Sequence, residues 1–88
     1  MTTDDNQVAI IELLLAAGAD VNVKTKTGWT ALTTAASSES IRAVRLLLQA
    51  GADVNAKDMW GYTALGRAKA AKNQEIVQLL LESGAKED

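Results

Sequence analysis

The sequence predicts an all-α fold, a solenoid of stacked helix–turn–helix units joined by hairpin-like loops. A ten-residue block supports this fold, because LLLAAGADVN at Leu13, LLLQAGADVN at Leu46 and the more divergent LLLESGAKED at Leu79 begin 33 residues apart. A second block has the same spacing, since GWTALTTA from Gly28 aligns with GYTALGRA from Gly61. A fixed period of this length indicates a stacked array in which each unit buries the apolar face of its neighbour.

The predicted helices follow from this register. The first helix is expected over residues 8–17. Two short, alanine-rich helices are then expected over residues 31–37 and 64–71, each preceded by a threonine (Thr30, Thr63) that can accept a hydrogen bond from a free N–H of the first turn. The polar stretches SSES and KNQ end these helices, and a longer helix follows each of them, over residues 41–50 and 74–83.

The leucine triplets and the glycines that follow them define the longer helices. Three consecutive leucines sweep about 200° around a helix, because each residue turns it by about 100°. So wide an apolar face suits a helix that is buried between its partner helix and the flanking units. Gly18, Gly51 and Gly84 lie where a left-handed residue ends a helix. Residues 52–61 then return the chain as an extended loop or hairpin.

These motifs closely resemble the ankyrin repeat family, whose 33-residue unit combines a hairpin turn with two antiparallel helices. The sequence matches its T-P-L-H-x-A stretch and GADVN helix exit along essentially the whole chain, which gives about two and two-thirds repeats. The matching residues are Gly28, Thr30, Leu32, Ala35, Gly61, Thr63, Leu65 and Ala68. The departures are Ala31 and Ala64 for the motif proline, Thr33 and Gly66 for the histidine, and Glu39 and Lys72 for the glycine between the helices.

We expect a single domain over residues 1–88 whose two ends differ. Residues 1–24 would form a partial first repeat without its hairpin and most of its first helix, residues 25–57 a full repeat, and residues 58–88 a capping-like repeat. Arg67 and Lys69 give this last repeat a polar outer face. The first repeat has no such polar face. The chain is therefore either a fragment of a longer array or is covered there by a second copy, through Val8, Ile10, Ile11 and Leu14.

Composition argues against several classes of function. The chain has no His and no Cys, which removes the usual nucleophile–base pairs and metal ligands, and it has no phosphate-binding glycine motif. We therefore expect a non-enzymatic protein without a cofactor or a metal. Asp20 and Asp53 are expected to bind nearby backbone N–H groups. The family resemblance implies that Asn22 and Asn55 join adjacent hairpins.

Charge and hydropathy narrow the partners and the compartment. The net charge is −2 and the chain has no dense block of Lys and Arg, so we expect no nucleic-acid partner. The apolar runs are too short to span a bilayer, and the N-terminal MTTDDNQ is unlike a signal peptide. An intracellular protein is expected, in the cytoplasm or alternatively in the nucleus.

The aromatic residues suggest a binding surface. The chain has three of them, Trp29, Trp60 and Tyr62, and all lie in the loops between units. Aromatic side chains on rigid loops are typical hot spots of protein interfaces. The alternative for Trp29 and Tyr62, which share one repeat position, is packing between hairpins. Lys24, Lys26, Lys57 and Asp58 would form a polar rim.

The resemblance also implies where a partner binds, since ankyrin repeats use hairpin tips and the inner face of the first helices. Carried over to this sequence, the loop residues are Lys26, Thr27, Trp29, Met59, Trp60 and Tyr62, and the helix residues are Thr33, Ser37, Ser38, Ala70 and Ala71. The sequence thus predicts a protein–protein interaction module. The alternative is a self-associating structural unit, a homodimer that uses the N-terminal edge.

Overall fold

Five α-helices and no β-strand make up the regular structure of residues 3–86, the part of the chain that this computed structural model describes. The helices are α1 (Thr3–Ala16), α2 (Ala31–Ser37), α3 (Ile41–Gln49), α4 (Ala64–Ala70) and α5 (Gln74–Glu82). The predicted all-helical solenoid is confirmed. Residues 1, 2, 87 and 88, which include Met1 and the end of the third leucine block, lie outside the described residues.

The four helices after α1 begin where the sequence predicts, because a polar side chain caps each of them. The hydroxyls of Thr30 and Thr63 each accept a hydrogen bond of 3.2 Å from a backbone N–H of the first turn. Ser40 and Asn73 do the same for α3 and α5, at 3.2 and 3.1 Å. An N-cap of this kind stabilises a helix by about 1 kcal/mol.

The expected turn geometry is also present. Gly18, Gly51 and Gly84 follow the longer helices with φ of 79°, 88° and 97°. Glu39 and Lys72, which stand in place of the family's glycine, retain the left-handed conformation with φ of 61° and 58°. A residue with a side chain is strained by about 1–2 kcal/mol in this region.

Helix α1 differs from the prediction. It begins five residues earlier than expected and continues through positions that correspond to the turn before α3. Asp5 in its first turn complements the positive end of the helix dipole. The carboxylate of Asp5 also accepts a hydrogen bond of 2.7 Å from the guanidinium of Arg42 on α3. These contacts favour an uninterrupted helix over a turn at residues 5–7.

The helices form two rows that share one apolar core. Helices α1, α3 and α5 lie side by side, α2 packs against α3 and α4, and α4 packs against α5. Leu47 and Leu80, which are one repeat apart, are both buried in the same core cluster. The core therefore runs continuously from one unit to the next, as the repeat spacing predicts.

Side-chain hydrogen bonds link the successive loops in the way that the resemblance implied. The amide oxygen of Asn22 accepts a hydrogen bond from Asp53 N at 2.7 Å, and that of Asn55 accepts one from Lys86 N at 3.0 Å. The carboxylates of Asp20 and Asp53 accept hydrogen bonds from the backbone two residues later, at 2.8 and 2.9 Å. Their predicted structural role is confirmed.

Candidate functional site

The tips of the two hairpin loops lie against each other. Each tip is a five-residue loop, closed by hydrogen bonds of 2.9 Å from Thr25 N to Trp29 O and from Asp58 N to Tyr62 O. The backbone joins one tip to the other, since Met59 N donates to Thr27 O at 2.9 Å. The loop residues predicted from the sequence are therefore brought together on one surface.

A buried carboxylate fixes the second tip. Asp58 is only 6% exposed, and its Oδ1 accepts hydrogen bonds from the backbone N–H groups of Trp60 and Tyr62 at 2.9 and 3.0 Å. Its Oδ2 accepts two from the guanidinium of Arg67, at 3.2 and 2.5 Å. The expectation that Asp58 forms part of an exposed polar rim is wrong, because its charge is used inside the loop.

The environment of Asp58 favours its ionised form. Desolvation by burial acts to raise the pKa of this carboxyl. The hydrogen bonds from Arg67, Tyr62 and Trp60, together with the positive charge of Arg67, outweigh that effect and lower the pKa below its ordinary value. Asp58 is therefore a charged, fully engaged acceptor at neutral pH.

Arg67 links the two aromatic rings that share a repeat position. Its guanidinium carbon lies 4.8 Å from the centroid of the Trp29 ring and 4.6 Å from that of Tyr62. Both distances fall within the range of cation–π contacts, worth about 0.5–2 kcal/mol each. The rings therefore have a packing role. The sequence predicted for Arg67 only a place on a polar outer face, and neither the repeat period nor the composition signals its pairing with Asp58.

Met59 and Trp60 project from this framework. They are 66% and 59% exposed, although the backbone on either side of them is held by Asp58. Tyr62 is 51% exposed and Trp29 is half-buried. Met59 and Trp60 thus form an exposed apolar pair on a loop whose backbone is fixed.

The exposed charges around the two tips are positive. Lys24, Lys26 and Lys57 are all exposed, and Lys24 Nζ donates to the backbone oxygen of Lys57 at 3.3 Å. The one acidic side chain in the tips, Asp58, is buried and paired with Arg67. The surface therefore combines two apolar side chains with a cationic border.

The predicted residues on the short helices divide into two groups. Thr33 is 2% exposed, and its hydroxyl accepts a hydrogen bond from Thr30 N at 3.4 Å, so its side chain belongs to the capping box of α2. Its expected place on a binding surface is wrong. Ser37, Ser38 and Ala70 are exposed and Ala71 is partly exposed. They lie at the far ends of α2 and α4, about 10 Å of helix from the tips.

The residues predicted for self-association also divide. Val8 and Ile11 are 3% and 8% exposed because they pack in the core, so their expected place at an interface is wrong. Ile10 and Leu14 are 57% and 53% exposed, and Leu13, which was not among the predicted contacts, is 72% exposed. A narrower apolar face of α1 remains open to solvent.

Comparison with known proteins identifies the fold. The family model described as ankyrin repeats (3 copies) matches residues 2–88. The chain belongs to the ankyrin repeat family. Ankyrin repeats are generally protein–protein interaction modules, and the family is typically non-enzymatic. No curated protein matches this ankyrin chain.

Two further findings concern the described residues of this ankyrin domain. Residues 3–86 contain no group of three or more acidic, histidine or cysteine side chains that could hold a metal ion. None of the five described helices is long and apolar enough to cross a membrane.

Proposed function

We propose that this ankyrin domain binds a partner protein through the second hairpin tip, with Met59 and Trp60 as the anchoring side chains. The observation that carries the proposal is their exposure of 66% and 59% on a loop whose backbone is fixed by a buried carboxylate. Exposed apolar side chains of this size favour burial by a partner, and Trp is the residue most enriched in interface hot spots.

The rigidity of the tip contributes to binding. The ion pair between Asp58 and Arg67 and the contacts of Arg67 with two rings hold the loop before any partner arrives. Ordering a loop at an interface costs binding free energy, so a loop that is already ordered retains more of the energy of its contacts. The framework thus supports the affinity without touching the partner.

The charges around the tip indicate the chemistry of that partner. Lys24, Lys26 and Lys57 are exposed, and Asp58 is neutralised within the loop. We expect an apolar pocket for Trp60 with acidic side chains around it, since complementary charge speeds association and selects the partner. Thr27 of the first tip, and Ser37, Ser38, Ala70 and Ala71 along the short helices, would extend the contact as small side chains that admit close approach.

Site-specific photo-crosslinking tests this proposal. A photoreactive amino acid in place of Trp60 is expected to capture the partner in cell extract, and the same amino acid in place of Glu75, exposed on α5, is expected not to. For the identified partner, Trp60→Ala should weaken binding by about 2 kcal/mol, or about 30-fold, in titration calorimetry.

The matched control is Val23→Ala, which also removes an apolar side chain that is 65% exposed, but outside the tips. It should change the affinity by less than about threefold, and added salt should weaken binding through the lysine border. If position 75 captured the partner and position 60 did not, or if Trp60→Ala bound like the wild type, the proposed site would be wrong.

A further inference from the structure

Helix α1 has an apolar face that nothing in the described structure covers. Ile10, Leu13 and Leu14 are 57%, 72% and 53% exposed. Their spacing of three and four residues places them on one side of the helix. Val8 and Ile11 on the other side are buried against the core. The helix therefore has two apolar faces, and only the face with Val8 and Ile11 packs against the core of the described structure.

In the other two units, a helix covers the equivalent of this face. The positions that correspond to Ile10 and Leu14 in the other two units are at most 2% exposed, because α2 and α4 lie on them; these positions are Ala43, Leu47, Ile76 and Leu80. Ala31 on α2 is also exposed, whereas its equivalent Ala64 is 2% exposed beneath α2. Within residues 3–86, no helix covers these positions of the first unit, although α2 and α4 cover them in the other two units.

These surfaces form a groove of about 390 Å³ between α1 and α2, with walls made by Ile10, Leu14, Ala31 and Thr34. Asn6 and Gln7 complete its rim, and none of the lining residues is ionisable. The opposite end of the stack is different, since the surface beside α4 includes the exposed Lys69 and Lys86. The groove is the uncharged, apolar end of the molecule.

We propose that a second copy of this chain fills the groove, with α1 of each copy lying antiparallel to α1 of the other across a two-fold axis. An isologous contact places each patch against itself, so a patch without charge meets no like-charge repulsion. Helix α1 also supplies the occupant, because the stripe of Ile10, Leu13 and Leu14 is an amphipathic helix face of the required kind. A head-to-tail contact would instead place this stripe against the lysines at the other end.

The proposal rests on α1 and α2 alone and is independent of the hairpin tips. The contact involves few large side chains per copy and is smaller than a standard interface, so we expect a weak dimer with a Kd of about 0.1 mM. Sedimentation equilibrium between about 5 µM and 1 mM should show a monomer at the low end and a dimer at the high end.

Ile10→Glu should raise the Kd at least about tenfold, because each copy would bury a carboxylate in an apolar contact. Gln49→Glu adds a carboxylate at an exposed position of α3, away from the groove, and should leave the Kd within about twofold. Ile10→Ala, which adds no charge, should weaken the dimer less than Ile10→Glu, and circular dichroism checks that all three variants fold.

Intermolecular NOEs in a mixture of labelled and unlabelled chains locate the contact. The proposal expects them among the methyl groups of Ile10, Leu14 and Ala31. A chain that stays monomeric at 1 mM would overturn the proposal. Equal weakening by Gln49→Glu and Ile10→Glu, or NOEs at Trp60 or Lys69 instead, would also overturn it.

Discussion

At the scale of single residues, Asp58 has the most consequences for the surface. Its two oxygens accept four hydrogen bonds, two from backbone N–H groups of its own loop and two from Arg67. In the first loop, the hydroxyl of Thr25 takes the equivalent place and accepts from Trp29 N at 3.2 Å. The carboxylate of Asp58 has a second oxygen, which binds Arg67 of α4. A hydroxyl has one oxygen and cannot make this additional contact.

The lowered pKa of Asp58 predicts a pH dependence of stability. A carboxylate whose folded pKa is depressed stabilises the protein fully above its unfolded pKa of about 3.9, and this contribution is lost as the pH falls through the folded value. Asp58→Asn keeps an oxygen for the two N–H groups but removes the charge. We expect the variant to melt below the wild type at pH 7 and the difference in Tm to narrow below about pH 4.

Thermal unfolding followed by circular dichroism from pH 7 to pH 2 measures this difference. Asp20→Asn is the matched control, since Asp20 is an exposed side chain whose carboxylate accepts a local backbone hydrogen bond. Its Tm difference from the wild type should be small throughout. If the Tm difference between Asp58→Asn and the wild type stayed constant down to pH 2, the charge of Asp58 would not be what stabilises the protein.

The strained turns give a second prediction at this scale. Lys72 has φ of 58°, and glycine adopts that conformation without the steric cost of a side chain. Lys72→Gly should therefore raise the free energy of unfolding by about 0.5–1 kcal/mol, after the larger entropy of glycine in the unfolded chain is subtracted. Ala71→Gly, one residue earlier at φ of −78°, should lower it, and urea titration distinguishes the two signs.

At the scale of elements, the contact between the hairpins sets the geometry of the candidate site. Gly28 lies where the first loop meets the second: a Cβ built there would be 2.9 Å from the Cα of Asp58. Gly61, at the same repeat position and with the same φ of 83°, has open space around it. The two glycines thus share a backbone conformation but differ in how close the neighbouring loop is.

This pair predicts a difference between two equal substitutions. Gly61→Ala should cost about 1–2 kcal/mol of unfolding free energy, from left-handed strain alone. Gly28→Ala should cost more, because the methyl group also displaces the backbone of Asp58, and it should weaken partner binding as well. Urea titration of both variants measures the difference, and equal costs would mean that the loops separate easily.

The helices were largely predictable from the sequence, and α1 shows where the prediction ended. The four capped helices begin at the predicted residues, since capping is a local interaction. The sequence predicted Thr30 and Thr63 as caps, whereas Ser40 and Asn73 were expected only as parts of the polar stretches before the longer helices. The 33-residue register placed a turn near residue 6, whereas the helix continues through it. A repeat pattern predicts that one unit has the same conformation as another. Whether the turn near residue 6 forms depends on contacts such as that of Asp5 with Arg42.

At the scale of the whole molecule, the repeats form one stack with a shared core. A substitution that destabilises one unit therefore also destabilises its neighbours. For 88 residues the free energy of unfolding should be about 4–13 kcal/mol. Leu14, Leu47 and Leu80 occupy one repeat position in the three units, with exposures of 53%, 2% and 0%. They therefore allow the same truncation to be made at an edge and within the stack.

Leu47→Ala and Leu80→Ala should each cost about 2–5 kcal/mol, enough to unfold a marginally stable stack, because they leave cavities in a packed core. Leu14→Ala should cost about 1 kcal/mol, since much of its side chain is already in water. Urea unfolding at low micromolar concentration measures all three. Equal costs would indicate that Leu14 is as well covered in solution as the other two.

The sequence predicted which loops form the candidate surface, but it predicted less well which side chains are exposed there. The sequence placed Met59 and Trp60 at a tip, and the structure exposes both. It also placed Thr33 on the surface and Asp58 in the rim, and both are buried. Burial of a polar side chain depends on a partner such as Arg67 or Thr30, which neither the period nor the composition of the chain identifies.

The unequal surroundings of the two tryptophans have a practical consequence. Trp60 is largely in water, whereas Trp29 is half-buried beneath the guanidinium of Arg67. Their intrinsic fluorescence should therefore have two components, a red-shifted emission that acrylamide quenches readily and a better shielded one. A protein that docks on the tip would shift the first component to the blue and leave the second nearly unchanged, so the unlabelled chain can report its own occupancy.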